Sequence, residues 1–289
     1  MMIVQFLING LVNGSLIALT ALGFSLVYNT MRVFHIAYAG IFLWAGYMFY
    51  FFKVQLAWPL FPSFLMAMLA AALLSVICEL LLYRPLQKRG RSHNALMISS
   101  VGMLILLVSL LEMLFGNAAL FTGFMVNDLL PLKINLSGLR QVSLLISLSL
   151  AALFYVYLKY TGAGISIRAM RDNETLSRLY GVRPANVKLF LYTLSGVFAA
   201  VASCLLTLDV GINPQMGIPV FINAFVALVI GGIGRFEGPL LGGLLLGVLQ
   251  ALTEYAFDSR WVMMLTFILL IIFLLFKPQG LIPERSRSY

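Results

Sequence analysis

Charge and cysteine are both scarce in this chain of 289 residues, and each scarcity excludes a class of protein. Only 10% of the residues are charged and 62% are apolar, whereas a soluble domain is about a quarter charged. A water-soluble domain could not bury so much apolar surface, so the composition predicts an integral membrane protein. The two cysteines, Cys78 and Cys204, lie inside long apolar runs, which argues against a structural disulfide or a cysteine-based metal site.

Motifs for nucleotide binding and covalent catalysis are also missing. The sequence has no Gly-Lys dipeptide, hence no P-loop, and neither a GxSxG nor an HExxH motif. The two histidines, His35 and His93, lie in separate segments. We therefore predict that the chain is not an enzyme and holds no metal or cofactor itself.

Two other functional classes remain as alternatives from the residues alone. One is an ion-coupled secondary transporter or channel that works without an ATPase, and the other is a membrane-embedded enzyme. Mid-span carboxylates, which a proton relay would need, are not visible in the apolar runs. A cluster of converging catalytic groups is not visible either. Both absences favour a permease that depends on an external source of energy.

Nine charge-free stretches lie within reach of the roughly 20 residues that a helix needs to cross a bilayer. They run over 1–31, 33–52, 54–78, 92–111, 141–158, 189–208, 210–234, 238–253 and 261–276. The sequence thus predicts an all-α, polytopic integral membrane bundle, formed as a single transmembrane domain over 1–289. Eight or nine spans are compatible with the pattern, and we favour nine. In the eight-span alternative the region around 29–41 is re-entrant, because Asn29, Arg32 and His35 interrupt its apolar sequence.

Positive charge is concentrated in three segments of a chain whose net charge is +9. The three segments are 84–91, 159–188 and 277–287. Cytoplasmic loops of membrane proteins carry an excess of lysine and arginine. We therefore predict that all three segments and the C-terminus are cytoplasmic.

The segment 161–188 is too polar to span a membrane and too long for a simple connector. Asp172 and Glu174 favour the start of a helix, because acidic groups stabilise a helix N-terminus. Gly181 is a typical C-terminal stop. The sequence therefore predicts a short helix near 172–181.

This short helix is predicted to be amphipathic. Leu176, Leu179 and Tyr180 fall at positions i, i+3 and i+4, which places them on one face. From the residues alone, three roles are open for this face: to lie on the lipid surface, to pack under its own bundle, or to dock into a groove on a partner.

Glycines predict close helix packing and a tight turn late in the chain. Small residues four positions apart let helix backbones approach in lipid, and three further glycines precede Arg235. The spaced glycines are Gly238, Gly242, Gly243 and Gly247, and those of the predicted inner turn are Gly231, Gly232 and Gly234.

Three stretches together resemble the membrane permease subunits of branched-chain amino-acid-type ABC importers, and the resemblance runs over most of the chain. The first contains GFSLVY at 23–28 and MRVFHIAYAG at 31–40. The second contains GISIRA at 164–169, LYGV at 179–182 and Lys188. The third contains NPQMG at 213–217, GGIG at 231–234 and GPLLGGLLLG at 238–247.

The resemblance implies a protein of the bacterial or archaeal cytoplasmic (inner) membrane that works with partners. These are a second permease subunit, either identical or related, two ATP-binding subunits, and an extracytoplasmic solute-binding protein. ATP would be bound by the partner subunits and not by this chain. The implied cargo is a small polar or amphipathic solute such as a branched-chain amino acid, urea or a short amide.

The resemblance also implies roles for particular residues. In the family, the loop matched by 161–188 contacts the ATPase, so among the three open roles it selects docking for the short helix. Arg168, Ala169, Leu179 and Gly181 match the family pattern directly, and the other coupling residues of the segment are Asp172, Glu174, Leu176 and Tyr180.

The first stretch departs from the family pattern. Where the family commonly reads N-F-A-H-G-E, residues 35–41 read H-I-A-Y-A-G-I, and the acidic position is lost. His35 and Tyr38 are the predicted pathway residues. The alternative for His35 is a packed histidine near a helix break, and for Tyr38 an interfacial tyrosine.

Overall fold

The described parts of the chain fold into helices, as the apolar runs predict. The computed structural model describes residues 2–90, 92–124 and 137–282. Arg91 and the tail cations Arg285 and Arg287 of the predicted basic segments lie outside these residues. The α-helices are α1 (Met2–Met31), α2 (Tyr38–Tyr50), α3 (Leu60–Ile77), α4 (Arg84–Lys88), α5 (His93–Phe115), α6 (Gly138–Tyr160), α7 (Gly162–Asp172), α8 (Glu174–Leu179), α9 (Pro184–Val210), α10 (Gly217–Gly231), α11 (Gly238–Ala256) and α12 (Val262–Phe276).

Within the described ranges, eight helical segments are long and apolar enough to cross a membrane. They are Gln5–Met31, Leu60–Lys88, His93–Phe115, Gly138–Tyr160, Pro184–Val210, Pro214–Gly231, Gly238–Ala256 and Ser259–Phe276. These segments confirm the polytopic all-α fold. They support eight spans over the nine that the sequence pattern favours.

The difference arises in the charge-free stretch 33–52. The chain leaves α1 at Arg32, which has a positive φ of 54°, and it does not become helical again until Tyr38. The α-helix that follows has only 13 residues, or about 20 Å at 1.5 Å per residue, against a hydrocarbon core of about 30 Å. Beyond it the backbone widens into a π-helical turn, Phe51–Gln55. The interruption around 29–41 that the sequence indicated is therefore a real break in the helix.

The chain divides into two compact units. The first is formed by the described parts of 1–25, 125–157 and 222–289. In it α1 and α11 approach so closely that a side chain at Gly247 would overlap the backbone of Gly14, and one at Gly243 would overlap Ala18. Glycine permits this contact because its lack of a Cβ lets two helix axes come together. The outer face of α12 is almost entirely exposed and apolar, as expected of a helix in lipid.

The second compact unit is formed by the described parts of 26–124 and 158–221. Its centre is α2, whose side chains are mostly buried and which packs against α3, α5 and α9. The Trp44 indole donates a hydrogen bond of 3.0 Å to the Leu107 carbonyl of α5. Below α3 the helix widens into a second π-helical turn, Cys78–Tyr83, before α4. The second unit thus surrounds a short, buried helix with longer ones.

Candidate functional site

The segment predicted to couple the chain to an ATPase forms two consecutive helices in the second unit. The first, α7, begins after Thr161, whose side chain accepts a hydrogen bond of 3.1 Å from the Gly164 amide. Arg168 donates to the Leu158 carbonyl at the end of α6, and Ala169 follows it, half-buried. Because Arg168 is bonded to the preceding helix, it holds α7 against the end of α6.

The second helix, α8 (Glu174–Leu179), lies within the predicted range 172–181, but Asp172 is the last residue of α7 and does not start α8. The Asn173 side chain caps its start by accepting a hydrogen bond of 2.9 Å from the Leu176 amide. At its end Gly181 has a positive φ of 84°, and the Val182 amide donates to the Ser177 carbonyl at 3.1 Å. This closure satisfies carbonyls that the last helical turn leaves unpaired. Local chemistry therefore sets both ends of α8.

The apolar side chains of α8 point away from the rest of the chain. Leu176, Leu179 and Tyr180 are 50%, 80% and 82% exposed, whereas Ser177 is only 3% exposed. We call these three exposed side chains the apolar patch. A helix that buries a serine and exposes leucine and tyrosine presents a surface suited to lipid or to another protein.

Ion pairs fix α8 to its neighbours. The Glu174 carboxylate pairs with Arg178 at 2.7 Å, and with the ammonium of Lys188 on α9 at 3.4 Å. Lys188 also donates to the Gln87 side chain of α4 at 3.1 Å. Partial burial raises the pKa of Glu174, but the hydrogen bonds and charges of Arg178 and Lys188 outweigh it, so that the pKa lies below its usual value. The exposed carboxylate of Asp172 pairs with its neighbour Arg171, at 2.8 Å.

An open cleft of about 450 Å³ lies between α4, α8 and the start of α9. Its wall includes Glu79 of the π-helical turn, which is 2% exposed and has one carboxylate oxygen without a hydrogen-bond partner within the described part of the chain. The lining residues are Glu79, Arg84, Gln87, Lys88, Glu174, Arg178, Pro184, Ala185 and Lys188. The predicted coupling segment therefore borders a charged cleft.

His35 lies at the helix break and belongs to a buried polar cluster. Its Nδ1 atom is hydrogen-bonded to the Tyr83 hydroxyl at 2.7 Å, and Tyr83 donates to Ser100 of α5 at 2.8 Å. Ser100 also accepts the Ala37 amide at 2.9 Å. With the Tyr83 proton donated to Ser100, the Nδ1–H of His35 donates to the Tyr83 oxygen. The cluster ties the break after α1 to the π-helical turn and to α5.

Aromatic rings enclose the same histidine. The rings of Tyr83 and Tyr192 are stacked, with centroids 5.5 Å apart. His35 meets both edge-on at 5.3 Å, and it meets Tyr38 at 6.1 Å. His35 and Tyr38 are at most 1% exposed. The structure thus places both predicted pathway residues in a closed aromatic cluster, where their pathway role stays a prediction.

The glycines predicted to form a turn and to pack lie where α10 meets α11. Gly232 and Gly234 have positive φ angles of 114° and 102°, in the turn between the two helices. A side chain at Gly231 would overlap Gly238 across that turn, and one at Gly242 would overlap the Ala227 carbonyl. These positions accommodate close backbone contact as the sequence predicts.

The sequence predicts some of these site residues and misses others. It grouped Arg168, Ala169 and the residues of α8, and it placed His35 and Tyr38 apart from them. It missed Tyr83, Tyr192 and Gln87. The available signal was a polar or aromatic residue at the end of an apolar run, which also describes an ordinary interfacial side chain.

The described residues contain no group of three or more histidine, cysteine or acidic side chains able to hold a metal ion. Cys78 and Cys204 are buried and free. Eight apolar spans within the described ranges define a polytopic integral membrane protein, and α8 presents an apolar patch at its surface. A family model described as "branched-chain amino acid transport system / permease component" matches residues 6–274. The chain belongs to this family.

Individual relatives agree over nearly the whole chain. The high-affinity branched-chain amino acid transport system permease protein BraD of Pseudomonas aeruginosa is 30% identical, with 96% of this chain and 95% of BraD covered. LivH of Escherichia coli (strain K12) is 27% identical, covering 96% and 94% of the two chains. The probable permease LivH of Methanocaldococcus jannaschii is 27% identical, covering 94% and 90%.

These matches confirm the family that the sequence motifs indicate. The chain is a permease subunit of the ABC importer type and an integral protein of the inner membrane. Because the relatives are transport permeases, they confirm that the chain is not an enzyme. They also favour an ABC importer permease over a transporter that works alone. Permeases of this type act with ATPase and solute-binding partners.

Proposed function

We propose that this chain forms part of the translocation pathway of an importer for branched-chain amino acids. The whole chain would act as one permease domain. The assembly would contain a second permease subunit, two ATP-binding subunits and an extracytoplasmic binding protein. The relatives that match nearly the whole chain are branched-chain amino acid permeases by name, which supports this cargo. Urea and short amides are the competing solutes, because the first motif has lost the acidic position of its family pattern.

The apolar patch on α8 is the surface we propose for ATPase docking. It lies on a helix with a defined cap and stop, so the patch is presented in a fixed shape rather than by a loose loop. An exposed apolar patch on a subunit marks an interaction site, and tyrosine is enriched among the residues that contribute most to binding. The 80% exposure of the Leu179 side chain, on a helix that buries Ser177, is the observation that carries this proposal.

The docking proposal also fixes the orientation. If α8 contacts an ATPase, the loop 161–188 is cytoplasmic, as its positive charge favours. Four of the eight spans found in the described residues follow this loop, and four is an even number, so the C-terminus would be cytoplasmic as well.

The proposed transport mechanism follows from the positions of α8 and of the helices around α2. ATP binding in the partner subunits would move the docked α8, and the helices around α2 would change between outward-open and inward-open arrangements. The chain itself would contribute the translocation pathway and the helix, α8, that transmits the motion, and it would perform no covalent chemistry. His35 and Tyr38 would reach the solute only in a conformation that opens the aromatic cluster.

Reconstitution of the assembly in liposomes tests this function. The complex, with binding protein outside and ATP inside, should accumulate labelled leucine, and neither urea nor acetamide should compete. Omission of the ATPase subunits should abolish uptake. Leucine movement by this chain alone would overturn the proposal, and competition by urea or acetamide would overturn the assigned cargo.

A further inference from the structure

Lys188 joins the coupling segment to the interior of the second unit. Its side chain is 15% exposed, and it touches α8 through Glu174 and α4 through Gln87. The side chain is mostly withdrawn from solvent, and its ammonium group is bonded to both of these partners. Its position therefore depends on where both α8 and α4 lie.

The two helices that Lys188 connects meet again one turn further inward. Gln87 follows Tyr83 by four residues, and Lys188 precedes Tyr192 by four, so each pair shares one face of its helix. Tyr83 and Tyr192 are stacked with 5.5 Å between ring centroids. The pairs Gln87–Lys188 and Tyr83–Tyr192 are thus two successive rungs between antiparallel segments, separated by about 6 Å of helix rise. We call them the two-rung ladder.

The inner rung, Tyr83 and Tyr192, contacts His35 at the helix break. Tyr83 is hydrogen-bonded to His35 at 2.7 Å, and Tyr192 meets the same imidazole edge-on at 5.3 Å. Both tyrosines and His35 are fully buried or nearly so. Buried, closely packed groups transmit displacement because they have little free volume into which to relax. A continuous chain of contacts therefore runs from Glu174 on α8 to the break that precedes α2.

We propose that Lys188 is a positioning residue for energy coupling, and that the two-rung ladder carries displacement of α8 to the helix break at His35. This proposal deepens the proposed function and rests on it. The ladder accounts for a feature that docking alone leaves without a role: a half-buried ion pair that binds the docking helix to the core. Docking depends on the apolar patch, whereas transmission depends on Lys188, so the two can be separated.

The test compares the amount of solute moved per ATP hydrolysed in the reconstituted full complex. Lys188→Met removes the charge but keeps the length of the side chain. We expect ATPase binding to persist, and the solute moved per ATP to fall roughly five- to tenfold, the size expected for losing a charged hydrogen bond and an ion pair. Lys188→Arg should restore most of the ratio. Lys159→Met, which removes a cation at the end of α6, is the matched control and should keep it.

Two further variants make the result specific to the ladder. Glu174→Gln removes the same ion pair from the α8 side, so combining it with Lys188→Met should cost no more than the larger single change. It also serves if Lys188→Met fails to assemble. Tyr192→Leu breaks the inner rung and should lower the ratio with ATPase binding retained.

The outcomes separate this inference from the proposed function. A wild-type ratio in Lys188→Met, or in Glu174→Gln if the former does not assemble, would overturn the ladder while leaving an ATP-driven importer intact. Fully additive losses in the double variant would also overturn it, because the two residues would then act separately. Uptake by the wild-type complex without ATP would instead contradict the proposed function, and with it the ladder.

Discussion

Two regions of the second unit arrange their side chains in opposite ways. On α8 the apolar groups face outward, and Leu179 and the C-cap residue Tyr180 are 80% and 82% exposed. Around His35 the polar groups face inward and bond one another without contact with solvent. An exposed patch contributes little to folding but is available to a partner, whereas a buried hydrogen-bonded cluster is costly to disturb. Substitutions on α8 should therefore damage activity alone, and substitutions in the cluster should damage stability first.

The largest loss of activity is expected from Leu179→Asp. Placing a charge in the apolar patch should weaken ATPase association by roughly thirtyfold, the loss that follows from removing an interface anchor worth about 2 kcal/mol. ATP-driven uptake should be lost with it. Because Leu179 is 80% exposed, the stability of the isolated chain should change by less than about 0.5 kcal/mol. Co-purification of the ATPase and thermal unfolding of the detergent-solubilised chain measure the two effects.

A matched control adds the same charge nearby. Asn186→Asp places a carboxylate in the first turn of α9, an exposed position outside the apolar patch, where a negative charge suits the helix N-terminus. It should bind the ATPase normally. Equal losses in both variants would show that charge in this loop, rather than the apolar patch, governs association.

Substitutions in the buried cluster around His35 should lower stability before they affect transport. His35→Ala removes a buried ring, leaves a cavity and deprives Tyr83 of one of its two hydrogen-bond partners, at a cost of about 3 kcal/mol. Thermal unfolding should occur at a lower temperature, and the amount of folded protein in the membrane should fall. The KM for solute of the remaining transporter should be unchanged. An altered KM with normal stability would instead support the pathway role that the sequence predicted for His35.

This contrast also explains what the sequence could predict. The ends of α8 follow from Asn173 and Gly181, because capping and a positive φ are properties of a few adjacent residues. The short helix and its apolar face were therefore predictable. Polar residues within an apolar run indicated the break at residues 32–37. Whether the next helix spans the membrane depends on where the α-helix gives way to the π-helical turn. The local sequence pattern does not specify that position.

The ladder could not be predicted because its contacts are non-local. Lys188 and Gln87 are 101 residues apart in the chain, and nothing in the composition of either neighbourhood selects the other. Tyr83 stands beside Arg84 at the end of an apolar run, which is equally typical of a tyrosine at the membrane interface. Pairing of distant helices is a property of the packed bundle, so such rungs become visible only in three dimensions.

A smaller effect distinguishes two stacked tyrosines of the cluster. Tyr83→Phe removes a hydroxyl that bonds His35 and Ser100, and it should lower the free energy of unfolding by about 1–3 kcal/mol. Tyr192→Phe removes a buried hydroxyl that has no hydrogen-bond partner in the part of the chain described, so stability should be unchanged or slightly higher. Unfolding of the two variants side by side measures the difference. Equal destabilisation would mean that the rings, rather than the hydrogen bonds, hold the cluster.

The smallest effect is the pH dependence of α8. The pKa of Glu174 lies below its usual value because Arg178 and Lys188 favour the carboxylate. A lowered pKa in the folded state means that the ion pairs contribute fully above the ordinary value of 4.5 and are lost as the pH falls through the folded pKa. Amide hydrogen exchange of α8, corrected for the intrinsic rate, should therefore be independent of pH near neutrality and less protected in acid. Glu174→Gln cannot ionise and should show lower protection that does not change across the same acid range. Loss of protection by this variant in parallel with the wild type would assign the acid effect to other carboxylates and separate α8 from its proposed anchor.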